Sequence, residues 1–468
     1  MPFQPVVLAT DGLLFLLLGL IVGAIWRARG SLPVRRAWRE VGRSRAGMAS
    51  ATLLLAFLAI GVLDSLHYRP LLKPTQAGDA PVYSAEVLSA LDATLANLRA
   101  RVERTYSAPL ATRSYAKETV EGDSGSIARE YPRLQFAGAQ LADPDRDRGL
   151  DVRERLLTGA GLGLGAGLIA CLVLGSIVGR QEHPGWLPRW GAILLGRTAM
   201  RWRAAMVTWV GLSVVVGALV AVAPVYHVFG TDKVGQDVLY LTLKSVRTAL
   251  VIGTLTTLVL LPVALALGVL AGYLGGWVDD VIQYVYTVLN SIPGVLLIAA
   301  AVLMMQGLID RHPDWFSTAA ERADARLLAL CCILGLTSWT GLARLLRGEA
   351  LKLRELEYVQ AARAFGVSTP RILLRHILPN VMHIVLIAVV MDFSGLVLAE
   401  AVLSYVGIGV DPNTISFGTM INAARMELAR EPMVWWSLAA AFVFMFVLVL
   451  SANLFADAVR DAFDPRRG

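Results

Sequence analysis

Long apolar runs recur along the chain, separated by shorter polar stretches in which arginine is frequent. A bilayer core is crossed by about 20 predominantly apolar residues in a helix. On that measure the pattern predicts nine spans, at about residues 13–26, 49–66, 156–178, 204–222, 246–273, 281–303, 327–346, 381–405 and 436–454. The first run is extended on its amino-terminal side by residues 6–9. It lacks basic residues before it, and Arg27, Arg29, Arg35, Arg36, Arg39, Arg43 and Arg45 follow it. This predicts an uncleaved helix with its amino terminus outside, Asp11 at the interface, and a basic cytoplasmic loop leading to the second span.

From residue 67 to 155 the chain is polar and contains no spanning run, which predicts an extracytoplasmic insertion. Leu88, Leu91, Leu95, Leu98 and Val102 recur at offsets of three and four, the stripe of one helix of about 20 residues. That stripe suits packing onto the insertion's own core or the membrane domain better than a coiled coil with a partner. Glu121 to Ser126 and Asp143-Pro144-Asp145 predict turns. They lack the ligand spacing and closing Glu of a calcium loop. In the third span Gly159, Gly161, Gly163, Gly165 and Gly167 lie inside an uninterrupted apolar segment, so close helix packing accounts for them better than phosphate binding. Residues 180–203 predict a second cytoplasmic loop.

Composition agrees with the membrane class. Of 468 residues, 56% are hydrophobic and only 17% charged, with a mean hydropathy of +0.59; soluble proteins carry about 25% charged residues. The net charge of +7 falls mostly beside apolar runs, where it marks cytoplasmic sides rather than nucleic-acid binding. Cys171, Cys331 and Cys332 all lie in apolar runs and imply neither a disulfide framework nor a metal cluster.

One polar stretch between two spans stands apart. From Glu357 to Phe365 no residue breaks a helix, and Tyr358, Ala361, Ala362 and Phe365 share one face at offsets of three and four. Gly366 supplies a left-handed stop, and Thr369-Pro370 permits a new helix. The order Gln360-Ala361-Ala362, three residues, Gly366, then Leu378-Pro379 resembles the "EAA loop" of permease subunits of ATP-binding-cassette (ABC) importers. Gln360 stands where Glu is usual, and His376 where Ile is frequent. The run His376 to Asn380 looks like the variant in the branch that imports dipeptides, oligopeptides and nickel.

Further motifs are similar to the C-type subunits of that branch. His227 to Leu239 resembles the "FGTDxxGRD" segment, with Gln236 replacing Arg; a capped turn explains His227, Asp232 and Asp237 more simply than a metal site. Ala271 to Asp279, Ser291-Ile292-Pro293-Gly294-Val295, Asp392 to Gly409, the external loop near 420–428 and the terminus at 457–466 resemble other family signatures.

The resemblance covers about residues 200–468. It implies an all-α integral membrane protein with the type I ABC importer fold: a six-helix permease domain at 204–468 with its coupling loop at 351–380. Before it lie two helices in 1–66, the insertion at 67–155, and a further helix with linker at 156–203. It further implies a non-catalytic, multi-pass subunit of the bacterial inner membrane, forming half of a translocation pathway for peptides or peptide-like solutes. The expected partners are a homologous second permease, two ATPase subunits, an extracytoplasmic solute-binding protein and membrane lipid. ATP and Mg belong on the ATPases; no cofactor, metal or nucleic acid is expected on this chain.

The ATPase-coupling residues by this likeness are Glu357, Tyr358, Gln360, Ala361, Ala362, Arg363, Phe365, Gly366, Leu378 and Pro379. Candidate pathway residues are Asn290 and Pro293, which interrupt the sixth span, and Asp392, Glu400 and Ser404 in the eighth. A carboxylate such as Asp392 costs roughly 2.5–3.5 kcal/mol at mid-bilayer, so it faces protein or water. A structural, hydrogen-bonded acid serves as well as a pathway group. The alternative function is an ATP-independent, ion-coupled carrier using Asp392 and Glu400. Asp279 and Asp280 sit on the expected inner side, against the positive-inside trend.

Overall fold

The computed structural model describes residues 3–28, 30, 32–72, 82–121, 127–178 and 185–463. In chain order the elements are β1 (Phe3–Val6), α1 (Ala9–Ala28), α2 (Leu32–Arg43), α3 (Arg45–Ser65), β2 (His67–Pro70), β3 (Leu88–Ser89), α4 (Ala90–Thr94), α5 (Ala96–Ala100), β4 (Glu118–Glu121), β5 (Ile127–Glu130), α6 (Pro144–Ile177), α7 (Trp186–Leu194), α8 (Trp202–Val222) and α9 (Val238–Leu274). There follow α10 (Gly276–Ser291), α11 (Gly294–Arg311), α12 (Ala319–Ser338), α13 (Thr340–Arg354), α14 (Glu357–Ala364), α15 (Thr369–Ile372), α16 (Leu378–Val406), α17 (Phe417–Glu427) and α18 (Trp436–Phe463).

Among the described residues, eight helices are long and apolar enough to cross a membrane, or nine if α12 and α13, bent by 41°, count as one span. Three boundaries differ from expectation. The sixth predicted span, 281–303, divides at Ile292-Pro293 into α10 and α11, and only α11 has the composition of a span. Proline lacks the amide N–H that would donate to the helix of residues before it. The eighth apolar length begins at Thr369 rather than 381, because α15, a π-turn at Leu373–Ile377 and α16 run on as one. Leu378 and Pro379 therefore open α16 directly after the π-turn. The third span lies in α6, which starts at Pro144: Asp143 caps it by accepting from the backbone N–H groups of Asp145 and Arg146.

The chain divides into two compact units. The first comprises residues 1–6, 33–248 and 415–458. Its insertion is not wholly helical. β1 pairs antiparallel with β2, with Val6 opposite His67, and β2 with β3; β4 and β5 form a hairpin. The β1–β2 pairing places Phe3–Val6 beside the start of the insertion. Residues 122–126 of the expected Glu121–Ser126 turn lie outside the described residues, as do 464–466 of the terminal motif.

The single amphipathic helix expected over residues 88–102 is instead β3 followed by α4 and α5, broken at Leu95. Pairing to β2 draws Leu88 and Ser89 into the sheet, and Ser89 then forms a capping box with Asp92. Leu91 and Leu98 are buried, but Val102 is 43% exposed. The stripe thus packs inward over only part of its length. The linker expected at 180–203 contains α7, whose Ile193 is buried beside Cys171 and Met206.

Alternate glycines of α6 seat α8. A Cβ on Gly159 would stand 2.5 Å from the Gly217 carbonyl oxygen, and one on Gly163 would stand 2.2 Å from the Ser213 carbonyl oxygen. A Cβ on Gly167 would stand 2.9 Å from Ser213 Cβ, whereas Gly161 and Gly165 face open space. The four-residue spacing lets two backbones approach; the intervening glycines take no part.

The second unit comprises residues 7–32, 249–414 and 459–468. Here α1 packs on α12: the Thr10 N–H donates to Asp324 Oδ2 at 3.1 Å, and the Thr10 hydroxyl donates to the other carboxylate oxygen. Asp11 is fully buried within the protein. One apolar core of the unit joins Leu346, Ala350 and Leu353 of α13 to Val359 of α14, Ile372, Ile377, and Val381 and Val385 of α16.

Candidate functional site

The polar stretch singled out in the sequence forms α14, held by one buried residue. Val359 is 1% exposed in the core shared with α13 and α16, and Ala362, a turn further on, packs against the same core. Leu356 N-caps the helix without a side-chain bond. The expected apolar face is divided by this anchor. Tyr358 is 44% and Phe365 88% exposed, and Ala361 is exposed with them, so they point away from the chain while Ala362 points in. Val359 escaped the sequence reading, although its three-residue offset to Ala362 was a signal of the inward stripe.

At the end of the helix the Phe365 N–H donates to the Ala361 carbonyl oxygen, and the Val367 N–H to that of Ala362. Gly366 lies between them at φ +74°, the left-handed stop expected. Glu357 and Arg363 are exposed. Gln360 donates from Nε2 to the Glu355 carbonyl oxygen at 3.1 Å and to Glu355 Oε2 at 3.4 Å. An amide can make both donations and a carboxylate neither, so Gln at this position ties α14 to the end of α13. Across the fold, Asn380 donates to the Tyr358 hydroxyl and to the His376 carbonyl oxygen. Leu378 and Pro379, at the start of α16, complete the support.

Beside this surface the Arg347 guanidinium bonds both Asp279 oxygens at 2.6 Å. The paired guanidinium holds the Asp279 carboxyl below the usual carboxylate range, against its partial desolvation. The Asp279 charge, expected on the inner side against the positive-inside trend, is thus paired within the chain. Residue spacing gave no sign of this pair, since 68 positions separate its members.

Of the five pathway candidates, two flank the α10–α11 break and three lie along α16. Asn290 and Pro293 flank the α10–α11 break and are exposed; the Thr340 hydroxyl donates to Asn290 Oδ1 at 3.2 Å, joining this break to the α12–α13 bend. Asp392 is half-buried, with no hydrogen bond or ion pair to the chain among the described residues. Glu400 is 1% exposed and accepts from the Ser404 hydroxyl at 2.7 Å; that hydroxyl oxygen in turn accepts from the Val410 N–H. Glu400 and Ser404 so pin the end of α16 to the loop after it, as a structural acid would.

In the first unit, Asp232 accepts from the Val234 and Gln236 N–H groups, and Asp237 from those of Leu239 and Tyr240. These are the turn and cap expected from the sequence. The insertion grips the same loop. Thr231 N–H donates to the Ser107 carbonyl oxygen, Ser107 N–H donates back to Thr231 Oγ1, and the Trp436 indole N–H donates to the Thr231 carbonyl oxygen. Tyr115 stands edge-on to Trp436 at 4.8 Å and donates its hydroxyl to the Met433 carbonyl oxygen. The loop at Thr231 and the one at Met433 are thus bound together by residues of the insertion.

Buried below them, His227 Nδ1 lies 2.7 Å from Asp237 Oδ2 and its Nε2 lies 3.5 Å from Glu103 Oε1. Burial disfavours the imidazolium, but the two carboxylates outweigh it and raise the His227 pKa. Burial likewise opposes the Glu103 carboxylate, yet His227 and the N–H groups of Phe136, Gln135 and Ala137 bring its pKa down to about 2.

Residues 264–468 match the family model described as "Binding-protein-dependent transport system inner membrane component". Similar curated proteins include the dipeptide transport system permease protein DppC of Lactococcus lactis subsp. cremoris, 32% identical over 51% of this chain and 64% of that protein. The oligopeptide transport system permease protein OppC of Mycobacterium tuberculosis strain H37Rv is 33% identical over 51% of this chain and 76% of its own length. The glutathione transport system permease protein GsiD of Pectobacterium atrosepticum is 33% identical over 51% and 73%. The match thus spans under two thirds of the first relative and about three quarters of the others. These likenesses do not favour an ion-coupled carrier. With spanning helices on both sides of α14, the chain belongs to the family of binding-protein-dependent transport inner membrane components, the non-catalytic permease subunits of ABC importers, as a multi-pass inner-membrane protein.

Proposed function

We propose that this chain forms half of the translocation pathway of an ATP-driven importer of peptides or peptide-like solutes. Its partners are a homologous second permease, two ATPase subunits that bind ATP and Mg, and an extracytoplasmic solute-binding protein. The observation that carries the coupling role is the division of α14: Val359 and Ala362 fasten it to the core, while Tyr358, Ala361 and Phe365 stand outward. A large ring as exposed as Phe365, at the tip of a short helix between spans, suits a pocket on a soluble subunit. Movement of that subunit reaches α13 and α16 through Val359, because a close-packed core passes displacement on rather than absorbing it. Rocking of the two permease halves then exposes the pathway to either side in turn.

The test is transport by the chain co-expressed with its neighbouring genes and reconstituted in vesicles. ATP-dependent uptake, with a Phe365→Cys chain crosslinking to the ATPase and Phe365→Ala abolishing coupling, is the expected result. Uptake without ATP, driven by an ion gradient and lost in Asp392→Asn, would overturn it.

A further inference from the structure

We propose that α2 binds the headgroups of anionic phospholipids at the cytoplasmic face. Three observations place it there. The first is confinement. Three residues separate α1 from α2, a reach of at most roughly 14 Å, and Ser44 alone separates α2 from α3. Because α1 and α3 both have the length and composition of spans, α2 is tethered at headgroup level.

The second observation is the arrangement of charge. Arg35, Arg36, Arg39 and Arg43 fall within an arc of about 100° on a helix advancing 100° per residue. Arg35, Arg36 and Arg39 are exposed and make no ion pair among the described residues; Arg43 pairs with Glu40. The third is that the side opposite the arc is already occupied by protein: Val41, about 190° from the arc's centre, is 5% exposed. At the edge of the arc the helix end is held as well, the Gly42 carbonyl oxygen accepting from the Arg201 N–H at 2.7 Å and a Cβ on Gly42 standing 2.3 Å from Met200 Cε.

The helix is therefore held by its apolar side and presents a row of guanidiniums to a layer rich in phosphate. Each can bond a phosphate through two N–H groups, which no zwitterionic neighbour need accompany. Trp38, 40% exposed at the margin of the arc, is a residue type found where headgroups meet acyl chains.

The experiment uses the full chain in nanodiscs of phosphatidylcholine containing a minor fraction of phosphatidylglycerol. After release into mild detergent, the phosphatidylglycerol retained per chain is counted by native mass spectrometry. The wild type is expected to retain it over phosphatidylcholine, and less of it as salt rises. The R35Q/R36Q/R39Q chain should retain roughly tenfold less, and R35K/R36K/R39K an intermediate amount. A control that removes equal charge from the insertion, R104Q/R129Q/R146Q, should match the wild type. Equal retention by wild type and R35Q/R36Q/R39Q, or equal loss in the control, would overturn the proposal. So would wild-type retention without preference for phosphatidylglycerol, a measurement that stands even if the glutamine variant fails to fold. Capture of an acidic protein on α2 with lipid retention unchanged by the substitutions would assign the arginines to that partner instead.

Discussion

The Asn380 side-chain amide donates a 3.0 Å hydrogen bond to the Tyr358 hydroxyl, joining the exposed side of α14 to the first turn of α16. Tyr358 thus has a ring directed outward and an oxygen tied inward. In Tyr358→Phe the ring stays near His376, 6.0 Å away between centroids in the wild type, and only the tie is lost. A net contribution of about 1 kcal/mol for such a bond corresponds to roughly a fivefold change in the population of the tied arrangement. Transport per ATP hydrolysed in proteoliposomes should fall about two- to fivefold, with membrane abundance unchanged. Asn380→Asp should retain most of the coupling, because the tyrosine hydroxyl can donate to the carboxylate; Asn380→Leu should not. Equal behaviour of the two Asn380 variants would show that the bond has no part in coupling.

Gly366 isolates conformation from space. Its φ of +74° is one that a side chain disfavours, yet a Cβ there would meet no heavy atom within 4 Å. Strain is therefore the whole penalty, of order 1–2 kcal/mol and largest for a β-branched residue. Gly366→Val should uncouple ATP hydrolysis from transport without preventing insertion, whereas Gly366→Asn, a residue that tolerates this backbone, should keep most of the activity. The ratio of ATPase to transport rate in vesicles measures both. A normal ratio in Gly366→Val would remove the turn from the coupling path.

The coupling stretch was legible because its signals are local: a helix period, a glycine stop and a proline restart fall within 24 residues from Glu357 to Asn380. The direction in which α14 faces was not. Offsets of three and four group Tyr358 with Ala361 and Phe365, but they do not say whether that group or Val359 lies against the core, which depends on Leu346, Ile372 and Val381 arriving from other helices. The spans were legible from hydropathy, and their ends less so, since Asp143 begins α6 with a polar first turn and α15 reaches α16 through a π-turn. The insertion was least legible, because three helices separate β1 from its partner β2 along the chain and period-three spacing favours a helix over β3. Pairs such as Arg347–Asp279 and His227–Glu103 are products of the fold, with no trace in spacing.

The His227 cluster makes the attachment of the insertion sensitive to pH from both sides. His227 has a raised pKa in the fold, so its contribution is complete below its ordinary value of 6.5 and is lost as pH rises through the higher folded value. Glu103 has a depressed pKa, so its contribution is complete above 4.5 and is lost as pH falls toward about 2. Thermal stability of the full chain in detergent should therefore be greatest between about pH 4.5 and 6.5. The Glu103 shift alone corresponds to about 3 kcal/mol across the acid limb. His227→Gln should flatten the alkaline limb, and Glu103→Gln the acid one. A wild-type profile without an alkaline decline would mean that the imidazole is neutral in the fold.

The glycines of α6 separate helix packing from composition within a few residues. At Gly163 an added Cβ would meet the Ser213 backbone 2.2 Å away, and backbone cannot turn aside as a flexible side chain can. At Gly161, two positions earlier on the same helix, it would meet nothing within 4 Å. Both changes to leucine raise hydropathy and helix propensity equally, so a difference between them reports contact alone. Gly163→Leu should separate α6 from α8, with a loss of roughly 2–4 kcal/mol, in the range for overpacking against an unyielding neighbour, and a marked fall in membrane abundance. Gly161→Leu should be accumulated and active as the wild type. Because Gly159 meets the Gly217 carbonyl oxygen on the same side, Gly159→Leu should resemble Gly163→Leu. If all three variants reached wild-type abundance and melting temperature in detergent, the close approach of α6 and α8 would not be what holds this part of the chain in the membrane.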